Sequence, residues 1–192
     1  GENFSTMNLF NSISLFKLLF NETPCRKLLI PGSCLEYGRT TGECSESEPG
    51  EPNSFFSWAK TALYRYALIN GLPLDAQIID FRLFYVYGPY QRKGSLIPTL
   101  VDSITHKNPP TITNPTSAND FVYIGDVAEA FHLGLTKNIA SGIYNLGSGS
   151  LTSITTVHHH VNSLLQPANM AKKINEIPEE SLKGFWANPT KT

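Results

Sequence analysis

Residues 27–38, Lys27-Leu28-Leu29-Ile30-Pro31-Gly32-Ser33-Cys34-Leu35-Glu36-Tyr37-Gly38, begin as an apolar run and end in a polar turn. A run this short, closed by small residues, reads as a buried strand from Lys27 to Ser33 that opens onto a loop. Outward from it the pattern alternates. Ser5 to about Phe20 reads as a helix, and Gly38 to Pro52, rich in Gly, Glu, Ser and Pro, as an exposed loop. Asn53 or Ser54 caps a helix that runs to about Asn70 with Gly71 as its stop. Gln77 to Tyr85 is a second buried strand. Beyond Pro89, a helix from Gly94 to Ile104 is broken by Pro109-Pro110, and short strands are expected at Thr111 to Thr113 and Phe121 to Ile124. An amphipathic helix from Asp126 to Leu135 and a strand from Ile143 to Leu146 follow, the strand ending in the turn Gly147-Ser148-Gly149. Alternating strands and helices predict an α/β fold with parallel pairing.

The chain has 192 residues and a formal net charge of −1. That length can hold one domain with a proper core, and the near-neutral balance gives no electrostatic reason to expect nucleic acid or an anionic membrane as partner. No apolar run reaches the length of a membrane span; the nearest, Leu15 to Phe20, is broken by Lys17 and is far too short. Cys25, Cys34 and Cys44 are odd in number and lack Cys-x-x-Cys spacing, which argues for reduced cysteines in a cytoplasmic protein rather than a zinc site or a disulfide framework. His158-His159-His160 lies inside a helical pattern set by Ile154, Val157, Val161, Leu164 and Leu165. Consecutive imidazoles on a helix diverge, so a solvated face is expected there rather than a metal. No leader peptide is legible at the start, which enters directly into a helix.

The chemistry concentrates at Ser33 and in the pentad Phe56-Ser57-Trp58-Ala59-Lys60. Residues four apart share a helical face. A tyrosine so placed relative to a lysine would have its phenol pKa lowered, and could pass a proton to or from a substrate hydroxyl. Here the first position is Phe56, so the ring is present without the hydroxyl.

In these segments the chain resembles the NAD(P)-dependent epimerase/dehydratase family, extended short-chain dehydrogenases/reductases that act on nucleotide-sugars. Asn3-Phe4-Ser5-Thr6-Met7-Asn8-Leu9 is similar to the family's Asn-x-x-(Gly)-Thr-x-Asn-Leu helix, and Gly32 to Gly38 to its Ser-(Ser/Thr)-x-x-x-Tyr-Gly strand end. Arg82-Leu83-Phe84-Tyr85-Val86-Tyr87-Gly88-Pro89, Asn119-Asp120-Phe121-Val122-Tyr123-Ile124-Gly125-Asp126-Val127-Ala128 and Tyr144-Asn145-Leu146-Gly147-Ser148-Gly149 match later family segments in order.

The resemblance implies the second half of a Rossmann-type dinucleotide-binding domain over 1–89, with substrate-binding elements and a returning Rossmann strand near 143–146 over 90–192. It implies catalytic roles at Ser33, Phe56 and Lys60, cofactor contacts at Lys60 and Phe84, and substrate contacts at Ser33, Tyr85, Arg92 and Asn119. NAD or NADP is the implied cofactor, a nucleotide-sugar the substrate, and a homodimer through the first helix and the helix of Lys60 the implied assembly. No metal is expected.

Several positions depart from the family pattern. Cys34-Leu35 follow Ser33 where the dehydratase branch has Asp-Glu, and Glu36 is offset from those positions; epimerisation or 4-keto reduction is therefore favoured over dehydration. Tyr85 stands where asparagine is common, and Asn119 where an arginine often grips a phosphate. Arg92 either supplies positive charge in its place or is a solvated loop cation. Gly-x-x-Gly-x-x-Gly is absent from the sequence, and Gly147-Ser148-Gly149 is read as a turn rather than a phosphate loop. By the family pattern the chain starts about three βα units late, near ninety residues at roughly thirty per unit, and stops before a closing helical region. The Lys27 to Ser33 strand would then have a bare apolar edge, an invitation to self-association. Two readings remain: an epimerase or reductase needing its other half, and a catalytically silent fragment or nucleotide-sugar-binding remnant.

Overall fold

The computed structural model describes residues 2–108, 112–166 and 177–191. Its centre is a parallel three-stranded sheet in the order β1 (Lys27–Ser33), β3 (Gln77–Leu83), β7 (Gly142–Leu146). Alternate side chains of β1 and β3 face opposite layers. Ile30 and Ile78 pack against Phe16 and Phe20 of α1 (Glu2–Glu22) and Tyr64 and Ala67 of α2 (Phe55–Gly71). On the other face, Leu29, Ile79 and Phe81 pack with Val127, Ala130 and Phe131 of α4 (Ile124–Thr136). A parallel sheet covered on both faces is the Rossmann-type arrangement that the strand and helix alternation predicts.

Smaller sheets frame this core. β4 (Tyr85–Tyr87) pairs in parallel with β6 (Phe121–Tyr123), and β5 (Ala118–Asn119) pairs antiparallel with β8 (Thr152–Ser153). α3 (Leu96–Thr105) packs against α5 (Ile154–Leu165).

The predicted strand at 27–33 matches β1, and the helix of Lys60 begins after Ser54, whose hydroxyl accepts from the Ser57 N–H at 3.2 Å. Other expectations are corrected. The segment 38–52 is not all loop: β2 (Gly42–Cys44) lies within it and pairs in parallel with β9 (Phe185–Ala187). Gly71 does not stop its helix in a left-handed turn, since its φ is −83°. The chain tightens into a 3-10 turn at Leu72–Leu74, and Asp75 takes the positive φ of 54°. The second strand ends at Leu83, and Tyr85 begins β4 in a separate sheet. Of the strand expected at 111–113, Ile112 and Thr113 belong to no strand, while Thr111 and Pro109-Pro110 lie outside the described residues. Among the described residues no helix is long and apolar enough to cross a membrane, and no group of three His, Cys, Asp or Glu could hold a metal.

Candidate active site

Ser33 is the last residue of β1 and the N-cap of a 3-10 turn, Cys34–Tyr37. Its Oγ accepts from the Leu35 N–H at 3.3 Å, and its own N–H donates to Glu36 Oε1 at 2.8 Å. The two bonds form a reciprocal capping box that fixes the strand end. Glu36 lies within this turn, and its carboxylate folds back onto the Ser33 N–H.

Lys60 comes to the same strand end from α2. Its Nζ donates to the Pro31 carbonyl at 2.6 Å and lies 5.7 Å from the centre of the Phe56 ring. The helix therefore presents Phe56 and Lys60 together beside β1, two residues before Ser33. Burial lowers the Lys60 pKa, and the carboxyls of Glu36 and Asp80 oppose that shift. Phe56, Ala59 and Lys60 line a groove between α1 and α2, faced across it by Phe4, Asn8 and Leu9.

Under this end of the sheet lies a polar layer that sequence reasoning missed. Glu36, Asp80 and Arg82 are all buried. Glu36 also accepts from the Thr61 hydroxyl at 2.9 Å, and the Arg82 guanidinium stacks on the Tyr37 ring at 4.2 Å. Burial pushes the Asp80 pKa up to about 8, helped by the neighbouring Glu36 charge and opposed by Arg82. The strand reads as buried, but nothing in the types of Asp80 and Arg82 marks these two side chains as enclosed; α2, the Tyr37 ring and the backbone near Gly50 surround the layer.

The remaining predicted residues lie elsewhere. Tyr85 is half-buried between the rings of Phe121 and Phe185, at 6.1 and 6.2 Å. Asn119 sits in β5, half-buried, and Arg92 is exposed in the turn before α3. Phe84 is buried with Cys34, Tyr37, Cys44 and Phe185. Burial in this cluster pushes the Cys34 thiol up to about 12 and the Cys44 thiol up to about 11, so both are inert at neutral pH.

Tyr37 is a structural tie: its hydroxyl donates to Asn145 Oδ1 at 2.7 Å, and Asn145 Nδ2 donates to the Cys44 carbonyl. The turn Gly147-Ser148-Gly149 spends its N–H groups on a side chain of the chain itself. Asp120 accepts from the Ser148 and Gly149 N–H groups and from the Ala187 N–H. A turn already holding a carboxylate is not an open phosphate cradle.

The chain matches the model of the NAD dependent epimerase/dehydratase family over residues 4–147. Among solved structures it is similar to UDP-N-acetylglucosamine 4-epimerase from Methanobrevibacter ruminantium M1 in complex with UDP-N-acetylmuramic acid, with 23% identity and a TM-score of 0.78 over 96% of this chain and 60% of that one. It is similar to UDP-glucuronic acid 4-epimerase from Bacillus cereus in complex with NAD, with 23% identity and a TM-score of 0.75 over 96% and 59% of the two chains. For dTDP-glucose 4,6-dehydratase from Bacillus anthracis str. Ames in complex with NAD, identity is 26% and the TM-score 0.76, over 85% and 53%. The likeness is one of fold, and this chain spans between 53% and 60% of the length of these three.

Proposed function

Because this chain belongs to the NAD dependent epimerase/dehydratase family, we propose that it supplies the sugar-facing part of an enzyme that interconverts nucleotide-sugars by epimerisation or 4-keto reduction at a ring carbon. The observation that carries the reading is Lys60, whose ammonium is anchored to the Pro31 carbonyl beside the Phe56 ring at the strand end occupied by Ser33. One of the three ammonium donors is spent on Pro31, and the geometry suits the others to ribose hydroxyls of NAD or NADP. When bound, the nicotinamide supplies hydride exchange. The Ser33 hydroxyl would donate to the sugar oxygen at the reacting carbon, and its capped position keeps that oxygen in register with Lys60. Tyr85, Arg92 and Asn119 would meet the nucleotide portion, with less positive charge than an arginine at position 119 would bring.

Phe56 favours a second reading. The ring cannot hold or release a proton at the place where the sugar oxygen needs one, and loss of a general acid/base costs about 10²–10⁴-fold in turnover. On that reading the protein binds a nucleotide-sugar and turns it over slowly or not at all. A second copy of the chain would dock through α1 and α2, which leave Phe4, Phe10, Leu18, Trp58 and Ile69 exposed.

The test is turnover of UDP-glucose and UDP-glucuronic acid with NAD and NADH by the full-length protein, with Phe56→Tyr beside it. Turnover by the wild type supports the enzyme reading. Turnover only by Phe56→Tyr supports the silent reading and locates the lesion. Absence of turnover and of nucleotide-sugar binding in both overturns the proposal.

A further inference from the structure

Two enclosed carboxyl groups under the site have no part in the reaction as proposed. Gly32 makes room for both: a Cβ there would sit 2.5 Å from Asp80 Oδ1 and 2.9 Å from Glu36 Oε1. The two oxygens therefore crowd over one point of backbone. Glu36 accepts from the Ser33 N–H and the Thr61 hydroxyl, donors that favour its ionised form. Asp80, one strand across, is as fully enclosed, yet neither of its carboxylate oxygens accepts a hydrogen bond from any of the described residues. Its ion pair with Arg82 is long, at 3.9 Å.

Two buried carboxylates this close are costly to ionise together, and the proton belongs on the one without donors. That one is Asp80. The groups facing the pair are Lys60, Thr61 and Tyr64 from α2, Arg82 from β3, and Tyr37 stacked on Arg82. Of the two cations facing the pair, Lys60 is the one at the strand end of Ser33, and the carboxyls of Glu36 and Asp80 both act to keep it charged.

We propose that Glu36 and Asp80 work as a one-proton carboxyl pair that holds the charge of Lys60 in place. They are positioning residues, acting on the nucleotide-facing ammonium through space, and the inference rests on the role given to Lys60 above. While Asp80 keeps its proton the pair presents one negative charge to Lys60. When the proton leaves, it presents two, and the ammonium is retained to higher pH.

The experiment follows the 13Cε signal of Lys60 in the full-length protein labelled with [13Cε]lysine, assigned by Lys60→Arg, from pH 5 to 10 without nucleotide or sugar. The expected curve has two steps: an early one near pH 8 reporting Asp80 and a later one from Lys60 itself. Asp80→Asn should erase the early step and lower the Lys60 midpoint by about one unit, a tenfold change in proton affinity. Glu36→Gln, which keeps an oxygen for the Ser33 N–H, should instead move the early step to lower pH. A single-step curve in the wild type, or an early step that survives Asp80→Asn, overturns the proposal. Because no turnover is read, an inactive protein with a two-step curve would sink the enzyme reading and leave the carboxyl pair standing, and an active one with a single step the reverse.

Discussion

The ammonium of Lys60 lies 5.7 Å from the centre of the Phe56 ring, on the same face of α2. A hydroxyl added to that ring by Phe56→Tyr would stand in the field of a cation held rigidly by the Pro31 carbonyl. The new phenol should titrate below its ordinary value of about 10. The check is the difference in ultraviolet phenolate absorbance between Phe56→Tyr and wild type across pH 7 to 12. Adding Lys60→Met should return the midpoint upward. A midpoint at or above that of a free tyrosine, unmoved by Lys60→Met, would mean that the pair does not communicate.

Stability should fall as pH rises toward 8. Asp80 has its pKa raised from an ordinary 3.8 to about 8 by burial first and by Glu36 second. Between those values the native state holds a proton that the unfolded chain has released, so unfolding releases a proton and is favoured by higher pH. The contribution is complete below about pH 4 and is lost progressively up to about pH 8, at no more than about 1.4 kcal/mol per unit. Urea midpoints measured from pH 5 to pH 8 should decline in wild type and flatten in Asp80→Asn. Equal slopes in the two proteins would contradict the assignment.

What could be read in advance followed from local signals. The strand at Lys27 to Ser33 is one apolar run with a turn at its end, and the Ser54 cap announces α2 with Phe56 and Lys60 on one face, whereas placing Ser33 in the same site rests on the family resemblance. The three residues of β2 show no alternation, and their partner β9 comes about 140 residues later, so nothing local marks Gly42 to Cys44 as a strand. Glu36, Asp80 and Arg82 look like surface residues by type. Their burial follows from α2, the Tyr37 ring and the backbone near Gly50 closing over them, a tertiary fact with no trace in periodicity. Asp120 likewise reads as one residue of a family segment, and its partners Ser148, Gly149 and Ala187 lie 28 to 67 residues away.

That carboxylate joins three elements and should be costly to lose. Asp120 is fully buried and accepts from the Ser148 N–H at 2.6 Å, the Ser148 hydroxyl at 2.7 Å, the Gly149 N–H at 3.1 Å and the Ala187 N–H at 3.0 Å. Asp120→Asn keeps the shape but turns an amide NH₂ toward backbone donors, leaving at least one of them unsatisfied. A loss of about 3 kcal/mol is expected in urea unfolding, against about 1 kcal/mol for Ser148→Ala, which removes the hydroxyl's bond to Asp120 and its exposed contacts with Ser150 but leaves every backbone donor to Asp120 in place. If the two variants lose the same amount, the turn is held by its own backbone instead.

Lys27 should stabilise α4 from outside it. The helix has no basic residue in its last turn, and its C-terminal carbonyls carry partial negative charge. Lys27, at the start of β1, reaches across to donate to the carbonyls of Gly134 at 2.8 Å, Leu135 at 3.2 Å and Lys137 at 2.7 Å. One ammonium thus occupies two carbonyls that the last turn of the helix leaves open and that of the cap residue Lys137, and ties the first strand to the helix behind it. Lys27→Met keeps most of the apolar stem and deletes the three bonds, so the expected loss of about 1–2 kcal/mol isolates the capping effect from packing. Amide exchange in the last turn of α4 should accelerate in step with that loss, while exchange in α2 follows only the global change. Protection of 133–137 that stays at the wild-type level in Lys27→Met would show that the helix end is held by its packing on Leu29 and Phe81 alone.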